Sequence, residues 1–241
     1  PFFAVASFIN PHDICFAYSA YKGKSPKGRS SVEHLYQQAL KLPPQQLPPL
    51  PDNFRIPELE PDAIDLYSKA SAVTPAGTMR MVYDERQWRI YRWIYCRLTE
   101  QVDQHIGQIL DALKRNGLEE ETLVVFTSDH GDMDACHRLA SKGRFYDQSV
   151  RVPLLMKYKG RIIPGVVDQR LASSGLDILP TLCGYAGMDV PESLLGKSLR
   201  PIAEGNTVAD WREYVVTENH TGRMLRSEQF KYCVYRDGGV R

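Results

Sequence analysis

A run of acids, imidazoles and a lysine follows directly after an apolar segment near the middle of the chain. Residues 123–127 have the composition of a buried strand, and the polar residues after them are Asp129, His130, Asp132, Asp134, His137 and Lys142. In open α/β sheets, ligands bind beyond the carboxyl ends of the strands. The pattern therefore predicts that residues 122–156 form one edge of an active site.

The first two of these polar residues suit a metal ion. Asp129 and His130 are adjacent, and Gly131 permits the bend that turns both side chains to one side. The carboxylate suits calcium, magnesium or manganese, whereas the imidazole is more natural for manganese, iron or zinc. The alternative is an Asx-type turn closed by a glycine, with no metal. The two residues alone leave both interpretations open.

Lys142 adds the possibility of an anion. It lies within 13 residues of Asp129. A metal repels a lysine unless an anion lies between them, so a cation, an anion and a lysine together are typical of a bound sulfate or phosphate. Taken singly, Lys142 and Arg144 are solvated loop charges by default. Asp147 and Arg151 are spaced to pair with each other.

The elements around this stretch predict an α/β fold with a mostly parallel sheet flanked by helices. Residues 2–9 are apolar enough for a fully buried strand, and Pro11 ends it so that His12 lies at its carboxyl end. A lone histidine there is more often a capped surface residue. Residues 84–116 repeat apolar side chains at steps of three and four, which predicts one long helix with a core-facing aromatic stripe. Since this helix leads into residues 123–127, a crossover between parallel strands is expected.

The remaining segments complete the prediction. Residues 18–78 are expected to be loop-like, with the proline-rich part at 42–51 extended over its own domain rather than offered to a partner. A helix is predicted at 174–186, with Ser174 as N-cap and Leu176, Leu179 and Leu182 facing inward. Three short strand-like segments predict a small antiparallel sheet near the C-terminus: 211–218, 223–226 and 230–236. We expect a domain boundary at residue 205, with 1–205 in the α/β domain and 206–241 in the small sheet.

Composition limits the partners. The 241 residues are 43% hydrophobic and 24% charged with a net charge of +1, as in globular proteins. Neither nucleic acid nor an anionic membrane is indicated by this charge, and no apolar run reaches the roughly 18–20 residues that span a bilayer. The five cysteines form no CxxC pair, which argues against a thiolate zinc site and against a disulfide framework.

Three separated stretches resemble the sulfatases of the alkaline-phosphatase-like superfamily. They are PFFAVASFINPHDI at 1–14, TLVVFTSDHGDMDACHRLASKGRFYDQSVRVPLL at 122–155, and SGLDILPTLCGYAGMDVPESLLGKSL at 174–199. The later RMLRSEQFKYCVY at 223–235 is similar to the family's small C-terminal sheet. The resemblance runs nearly end to end, and its middle motif is the most specific part.

The resemblance implies a role for each candidate residue. Asp129 and His130 would bind a divalent cation, usually Ca²⁺ in sulfatases. Many members have Asn where this chain has His130, which keeps Mn²⁺ open and is similar to the related phosphonate monoester and phosphodiester hydrolases. Lys142 would bind a sulfate oxygen, and His12 would contact the sulfate or protonate the leaving alkoxide. His137 would lie on the substrate side of the pocket.

Two family features do not occur in this sequence. Sulfatases attack with a formylglycine made from the Cys or Ser of Cys/Ser-x-Pro-x-Arg, and an early Asp-Asp pair completes their metal site; neither motif is present. We therefore expect this chain to be the C-terminal portion of a sulfatase, inactive alone, with the formylglycine nucleophile on the N-terminal portion. The expected substrate is a small-molecule or carbohydrate sulfate ester, and the resemblance implies a periplasmic or secreted protein. Two alternatives stay open: a phosphonate monoester or phosphodiester hydrolase, and a non-catalytic relative that binds an anion or carbohydrate.

Overall fold

The chain forms two compact units. The computed structural model describes residues 2–24, 30–64 and 76–236. The first unit comprises Pro1–Asp111 and Asp132–Lys142, and the second comprises Ala112–Gly131 and Gly143–Arg241. The candidate residues are therefore divided, since Asp129 and His130 belong to the second unit whereas His12, His137 and Lys142 belong to the first.

The first unit is helical over its described residues. Its helices are α1 (Ala17–Tyr21), α2 (Ser30–Leu40), α3 (Ala76–Val82) and most of α4 (Glu85–Arg115), and a 3₁₀ turn, His12–Phe16, precedes α1. The core lies between them and includes Val32, Ala39, Trp88, Ile94 and Leu98. The helix predicted at 84–116 and its core-facing aromatic stripe are thus confirmed.

The buried strand predicted at residues 2–9 is wrong. They form no strand, and Phe3 and Val5 are 77% and 75% exposed. Apolar composition favours burial, but a strand is buried on both faces only when neighbouring strands and helices cover it. The described residues supply no such ladder to this segment.

The irregular stretch predicted at 18–78 is also partly wrong, because it contains α2. The buried residues of this helix are Val32, Leu35, Tyr36 and Ala39, at steps of three, one and three. That spacing is the one expected for an amphipathic helix. The signal was in the sequence, masked by the glycines and prolines on both sides.

The proline-rich segment lies on its own unit, as predicted. Three arginines of α4 hold its carbonyl groups. Arg89 Nε donates to the carbonyl of Pro48 at 2.8 Å, and Arg86 Nη2 donates to that of Leu42 at 3.1 Å. Arg92 donates to the carbonyl of Pro49. These bonds satisfy a backbone that has no ladder of its own.

The second unit contains the described strands. β1 (Val124–Thr127) pairs antiparallel with β2 (Leu154–Lys157). The short helices α5 (Asp147–Val150), α6 (Ile178–Ala186) and α7 (Arg200–Ala203) belong to the same unit. The helices and sheets agree with the predicted α/β class, although the strand pairs among the described residues are antiparallel.

A three-stranded antiparallel sheet follows, as predicted. It is formed by β3 (Val215–Asn219), β4 (Gly222–Arg226) and β5 (Lys231–Tyr235), in that order. We call these strands the C-terminal sheet. The boundary expected at residue 205 stays a prediction.

Helix α6 begins later than predicted. Its N-cap is Asp177 rather than Ser174, and Leu179 is 55% exposed instead of facing inward. Asp177 and Thr181 are buried in its place. The cause is that the Asp177 carboxylate accepts a hydrogen bond from the backbone N–H of Ser173, so the chain up to that point forms a turn.

None of the helices within residues 2–24, 30–64 and 76–236 has the length and apolarity that a membrane crossing requires.

Candidate functional site

The chain bends sharply after β1, where the two candidate metal ligands, Asp129 and His130, lie. The backbone N–H of Gly131 donates to the carbonyl of Ser149 at 2.9 Å. A Cβ at Gly131 would lie 2.0 Å from the carbonyl oxygen of Gln148, so only glycine fits this approach. Ser128 Oγ closes the bend by donating to the carbonyl of His130 at 2.8 Å.

Asp129 and His130 present one oxygen and one nitrogen side by side. His130 Nε2 lies 3.4 Å from Asp129 Oδ2. His130 Nδ1 lies 2.9 Å from the carbonyl oxygen of Gly131, which can only accept, so the neutral ring carries its proton on Nδ1. The lone pair is then on Nε2, beside the carboxylate. This is the tautomer that a metal-binding histidine needs.

The carboxylate of this pair is held in its charged form. Partial burial opposes ionisation of Asp129, but the positive charge of the His130 ring in its protonated form and the hydrogen bonds to the carboxylate prevail and lower the pKa of Asp129 below the usual range. The donor set therefore fits a divalent cation. Among the described residues, no group of three or more His, Cys, Asp or Glu side chains surrounds one point, so Asp129 and His130 do not complete a coordination sphere with other described residues.

His12 and Lys142 meet although they are far apart in the sequence. Lys142 Nζ lies 3.3 Å from His12 Nδ1. An ammonium group has donors only, so Nδ1 accepts and the neutral His12 ring carries its proton on Nε2. His12 is exposed, as expected for a surface histidine, and the contact gives Lys142 a partner in the N-terminal segment. The pair presents several N–H donors at one place.

The loop 132–142, which carries His137 and ends at Lys142, has an unusual backbone. Positive φ angles occur at five residues other than glycine: Asp134 (43°), Ala135 (73°), His137 (55°), Arg138 (54°) and Ser141 (68°). Such conformations cost of order 1–3 kcal/mol each and persist only where the surroundings hold them, as at active sites and ligand clamps. No pattern in the sequence indicated this conformation.

His137 is held by residues that the sequence did not single out. Its N–H donates to the carbonyl of Asn53 at 2.9 Å, and its carbonyl accepts from Arg80 Nη2 at 2.8 Å. Arg80 is buried and makes a two-point ion pair with Glu60, at 2.5 and 2.9 Å. This arginine therefore fixes the peptide of His137 in its left-handed conformation.

The two acids near the start of the loop have structural partners. Tyr91 Oη donates to Asp132 Oδ1 at 2.9 Å, and Arg92 Nε donates to Asp134 Oδ2 at 3.0 Å. Burial raises the pKa of Asp134 to about 6, and the Arg92 guanidinium opposes that rise. Asp132 and Asp134 thus anchor the loop to α4.

Asp147 pairs with the C-terminal sheet more closely than with Arg151. The expected partner Arg151 lies 3.9 Å away, whereas Arg226 Nη1 and Lys231 Nζ both lie 2.9 Å from Asp147 Oδ1. Partial burial opposes its ionisation, but Lys231 and then the two arginines lower the pKa of Asp147 below its usual range. Neither Arg226 nor Lys231 was recognised from the sequence, because their contacts span some 80 residues.

Comparison with known proteins gives a consistent picture. A family model described as Sulfatase matches residues 1–188. The Delta 4,5-hexuronate-2-O-sulfatase of Bacteroides thetaiotaomicron is 32% identical over 262 residues, which cover 99% of this chain and 49% of that protein. The chain thus spans about half the length of this curated relative.

Solved structures extend the likeness to the fold. The structure of a 2-O GAG sulfatase matches with a TM-score of 0.81 and 30% identity, over 100% of this chain and 51% of that one. The phosphonate monoester hydrolase of Silicibacter pomeroyi matches with a TM-score of 0.66 and 25% identity, over 84% of this chain and 44% of that one.

Proposed function

This chain belongs to the sulfatase family and has its alkaline-phosphatase-like fold, and from that premise we propose that it serves the hydrolysis of a sulfuric ester. The observation that carries the proposal is the contact between Lys142 Nζ and His12 Nδ1 at 3.3 Å. Two residues 130 positions apart are brought together with the donors that a sulfate ester requires.

Lys142 is the anion-binding residue in this proposal. Its ammonium group donates to sulfate oxygens and offsets the negative charge that develops on them in the transition state. A lysine acts here as a point charge with three rotatable donors, so it can follow an oxygen as the S–O bonds rearrange.

His12 serves the leaving group. Since its Nδ1 accepts from Lys142, its Nε2–H is directed away from that contact and can donate to the leaving oxygen. His137 contributes on the substrate side, where Arg80 and Asn53 hold its backbone. Because its backbone is held in place, we assign His137 to recognition of the substrate and not to a proton transfer that would require it to move.

Asp129 and His130 would hold the metal. A divalent cation, when bound, supplies Lewis-acid stabilisation of the sulfuryl oxygens. The family favours Ca²⁺, while the nitrogen ligand at His130 supports Mn²⁺ as the alternative. The further ligands and the formylglycine nucleophile have no counterpart motif in these 241 residues. We accordingly expect the 241 residues by themselves to turn over no ester.

The metal assignment leads to a prediction that does not depend on activity. Asp129→Ala in the full-length protein removes the anionic ligand. The affinity for the metal should therefore fall by at least about 10- to 100-fold, and less metal should remain after dialysis. Metal content measured by plasma mass spectrometry checks this. Asp168→Ala is the control, because Asp168 is an acid of the same unit whose partner among the described residues is nearby Arg170. Undiminished metal in Asp129→Ala would refute the ligand role.

A second candidate function is the hydrolysis of a phosphonate monoester or phosphodiester. The observation that favours it is the similarity to a phosphonate monoester hydrolase structure, together with His130. A panel of aryl sulfate and aryl phosphonate tested on the full-length protein separates the two. We expect a higher kcat/KM for the sulfate; a preference for the phosphonate would assign the second function. Binding of inorganic sulfate without any turnover would instead indicate a non-catalytic relative.

The substrate class follows from the relatives. Because the matched proteins include a hexuronate-2-O-sulfatase and a 2-O GAG sulfatase, we propose a sulfated carbohydrate as the substrate. Release of sulfate from sulfated disaccharides, compared with an aryl sulfate, tests this choice. The family resemblance also supports a periplasmic or secreted location, which cell fractionation would check.

A further inference from the structure

The segment immediately after Lys142 is attached to the C-terminal sheet at alternate residues. Gly143 accepts a hydrogen bond from Asn219 Nδ2 at 3.0 Å. The ring centroid of Phe145 lies 5.7 Å from that of Tyr235, and both side chains are buried. Two residues of this segment therefore contact the C-terminal sheet, Gly143 through its backbone carbonyl and Phe145 through its ring.

A third contact is made by Asp147, the first residue of α5. Its carboxylate is bonded by Arg226 and Lys231, which belong to β4 and β5. The attachments at positions 143, 145 and 147 therefore combine a neutral hydrogen bond, an aromatic contact and ion pairs. Since each uses different chemistry, the register of this segment on the sheet is fixed more than once.

Asn219 contacts Gly143, the residue that follows Lys142 in the chain, and the orientation of the Asn219 amide is determined. Its Oδ1 accepts from the N–H of Thr221 at 2.8 Å, from Thr221 Oγ1 at 2.7 Å and from the N–H of Gly222 at 3.1 Å. Donors occupy the oxygen side, so the amide nitrogen must point to the Gly143 carbonyl. One side chain thus closes the β3–β4 turn and holds Gly143.

Gly143 is where such a clamp has the most effect. Its φ is +85°, a conformation open to glycine, and glycine is also the residue with the widest choice of other conformations. Without an external bond, the peptide at Gly143 could adopt another of these conformations and change the path by which the chain leaves Lys142. A hydrogen bond to the Gly143 carbonyl removes that freedom.

We propose that the C-terminal sheet orients the turn that carries Lys142, and that Asn219 is the positioning residue through which it does so. The consequence for catalysis rests on the anion-binding role of Lys142 proposed above. The positioning itself does not, since it concerns where the lysine lies and not what it binds.

The substitution Asn219→Asp separates the two tasks of this side chain. A carboxylate still accepts the three bonds of the β3–β4 turn, but it cannot donate to Gly143 and repels its carbonyl oxygen. We expect the rate of acetylation of Lys142 by acetic anhydride, followed by mass spectrometry on the full-length protein, to rise about fivefold, as for the loss of one hydrogen bond. We expect KM for a sulfate ester to rise by a similar factor, and the midpoint of urea unfolding to fall by no more than the loss of one hydrogen bond explains.

Matched variants make the outcome decisive. Arg223→Ala alters the same hairpin at an exposed pair with Glu218 and should leave Lys142 acetylation and KM unchanged. Asn219→Ser, which also keeps an acceptor for the turn but is too short to reach Gly143, should reproduce Asn219→Asp and replaces it if that variant does not fold. Unchanged Lys142 acetylation in both Asn219 variants would overturn the proposal.

A double-mutant cycle distinguishes failure of this inference from failure of the proposed function. If Asn219 acts through Lys142, adding Asn219→Asp to Lys142→Ala should change turnover no further, whereas independent effects would add. An additive result therefore contradicts positioning. If Lys142→Ala itself leaves turnover unchanged while the Asn219 variants alter Lys142 acetylation, the positioning stands and the anion-binding role fails.

Discussion

Lys142→Ala in the full-length protein is expected to lower kcat for a sulfate ester about 10²- to 10³-fold, as for the loss of one preorganised donor to a charge that develops in the transition state. The reason is that the ammonium group already lies beside His12 in the structure, so its charge needs little reorganisation during the reaction. The methyl side chain of alanine removes this donor from the sulfate oxygens and from His12 Nδ1.

Steady-state kinetics with an aryl sulfate measures this loss of kcat. Two further variants serve as a control and as a partial rescue. Lys157→Ala removes a lysine that lies on β2 and pairs with Glu119 at 2.6 Å, so it should leave kcat within about twofold of the parent. Lys142→Arg keeps the charge but changes its shape, and it should recover part of the lost rate. Parental turnover by Lys142→Ala would exclude the anion-binding role.

The parts of the fold that the sequence predicted are those decided locally. The periodic apolar face of α4 and the short C-terminal strands depend on neighbours within a few residues, and both are present as expected. The meeting of His12 with Lys142 was predicted only through the family resemblance, because a spacing of 130 residues contains no geometric information by itself.

The parts that could not be predicted depend on distant partners. Residues 2–9 have a strand's composition, yet composition does not state whether a cover exists, and Phe3 is exposed. The left-handed backbone at His137 is imposed by Arg80 and Asn53, which precede it by 57 and 84 residues. Those contacts become visible only once the chain is folded.

Asp177 is such a long-range residue, and its substitution should have the largest effect on stability. Its side chain is 0% exposed and receives four donors: Arg212 Nη1 at 2.5 Å, Arg212 Nη2 at 2.6 Å, and the N–H groups of Ser173 at 2.7 Å and Lys197 at 2.9 Å. One carboxylate thus joins three segments that are separated in the sequence. Its presence also explains why α6 begins at Ile178.

We expect Asp177→Asn to lower the free energy of unfolding by about 3–5 kcal/mol. The amide is nearly the same size, so the loss comes from charge and hydrogen bonding and not from a cavity. The substitution leaves the largely buried guanidinium of Arg212 without a counter-charge. The new side-chain NH₂ group is itself a donor, and it faces donors from which the carboxylate had accepted hydrogen bonds. Urea unfolding followed by fluorescence measures the change.

The size of this loss distinguishes a buried ion pair from a surface one. Asp168→Asn removes an exposed pair with Arg170 at 3.5 Å and should cost under about 0.5 kcal/mol. If most of the Asp177→Asn penalty comes from the stranded cation, then adding Arg212→Met should restore part of the stability, even though it removes a second polar residue. A penalty below about 1 kcal/mol for Asp177→Asn would contradict this role of the buried ion pair. A further loss of stability on adding Arg212→Met would show that the backbone N–H groups left without acceptors, and not the charge, dominate this site.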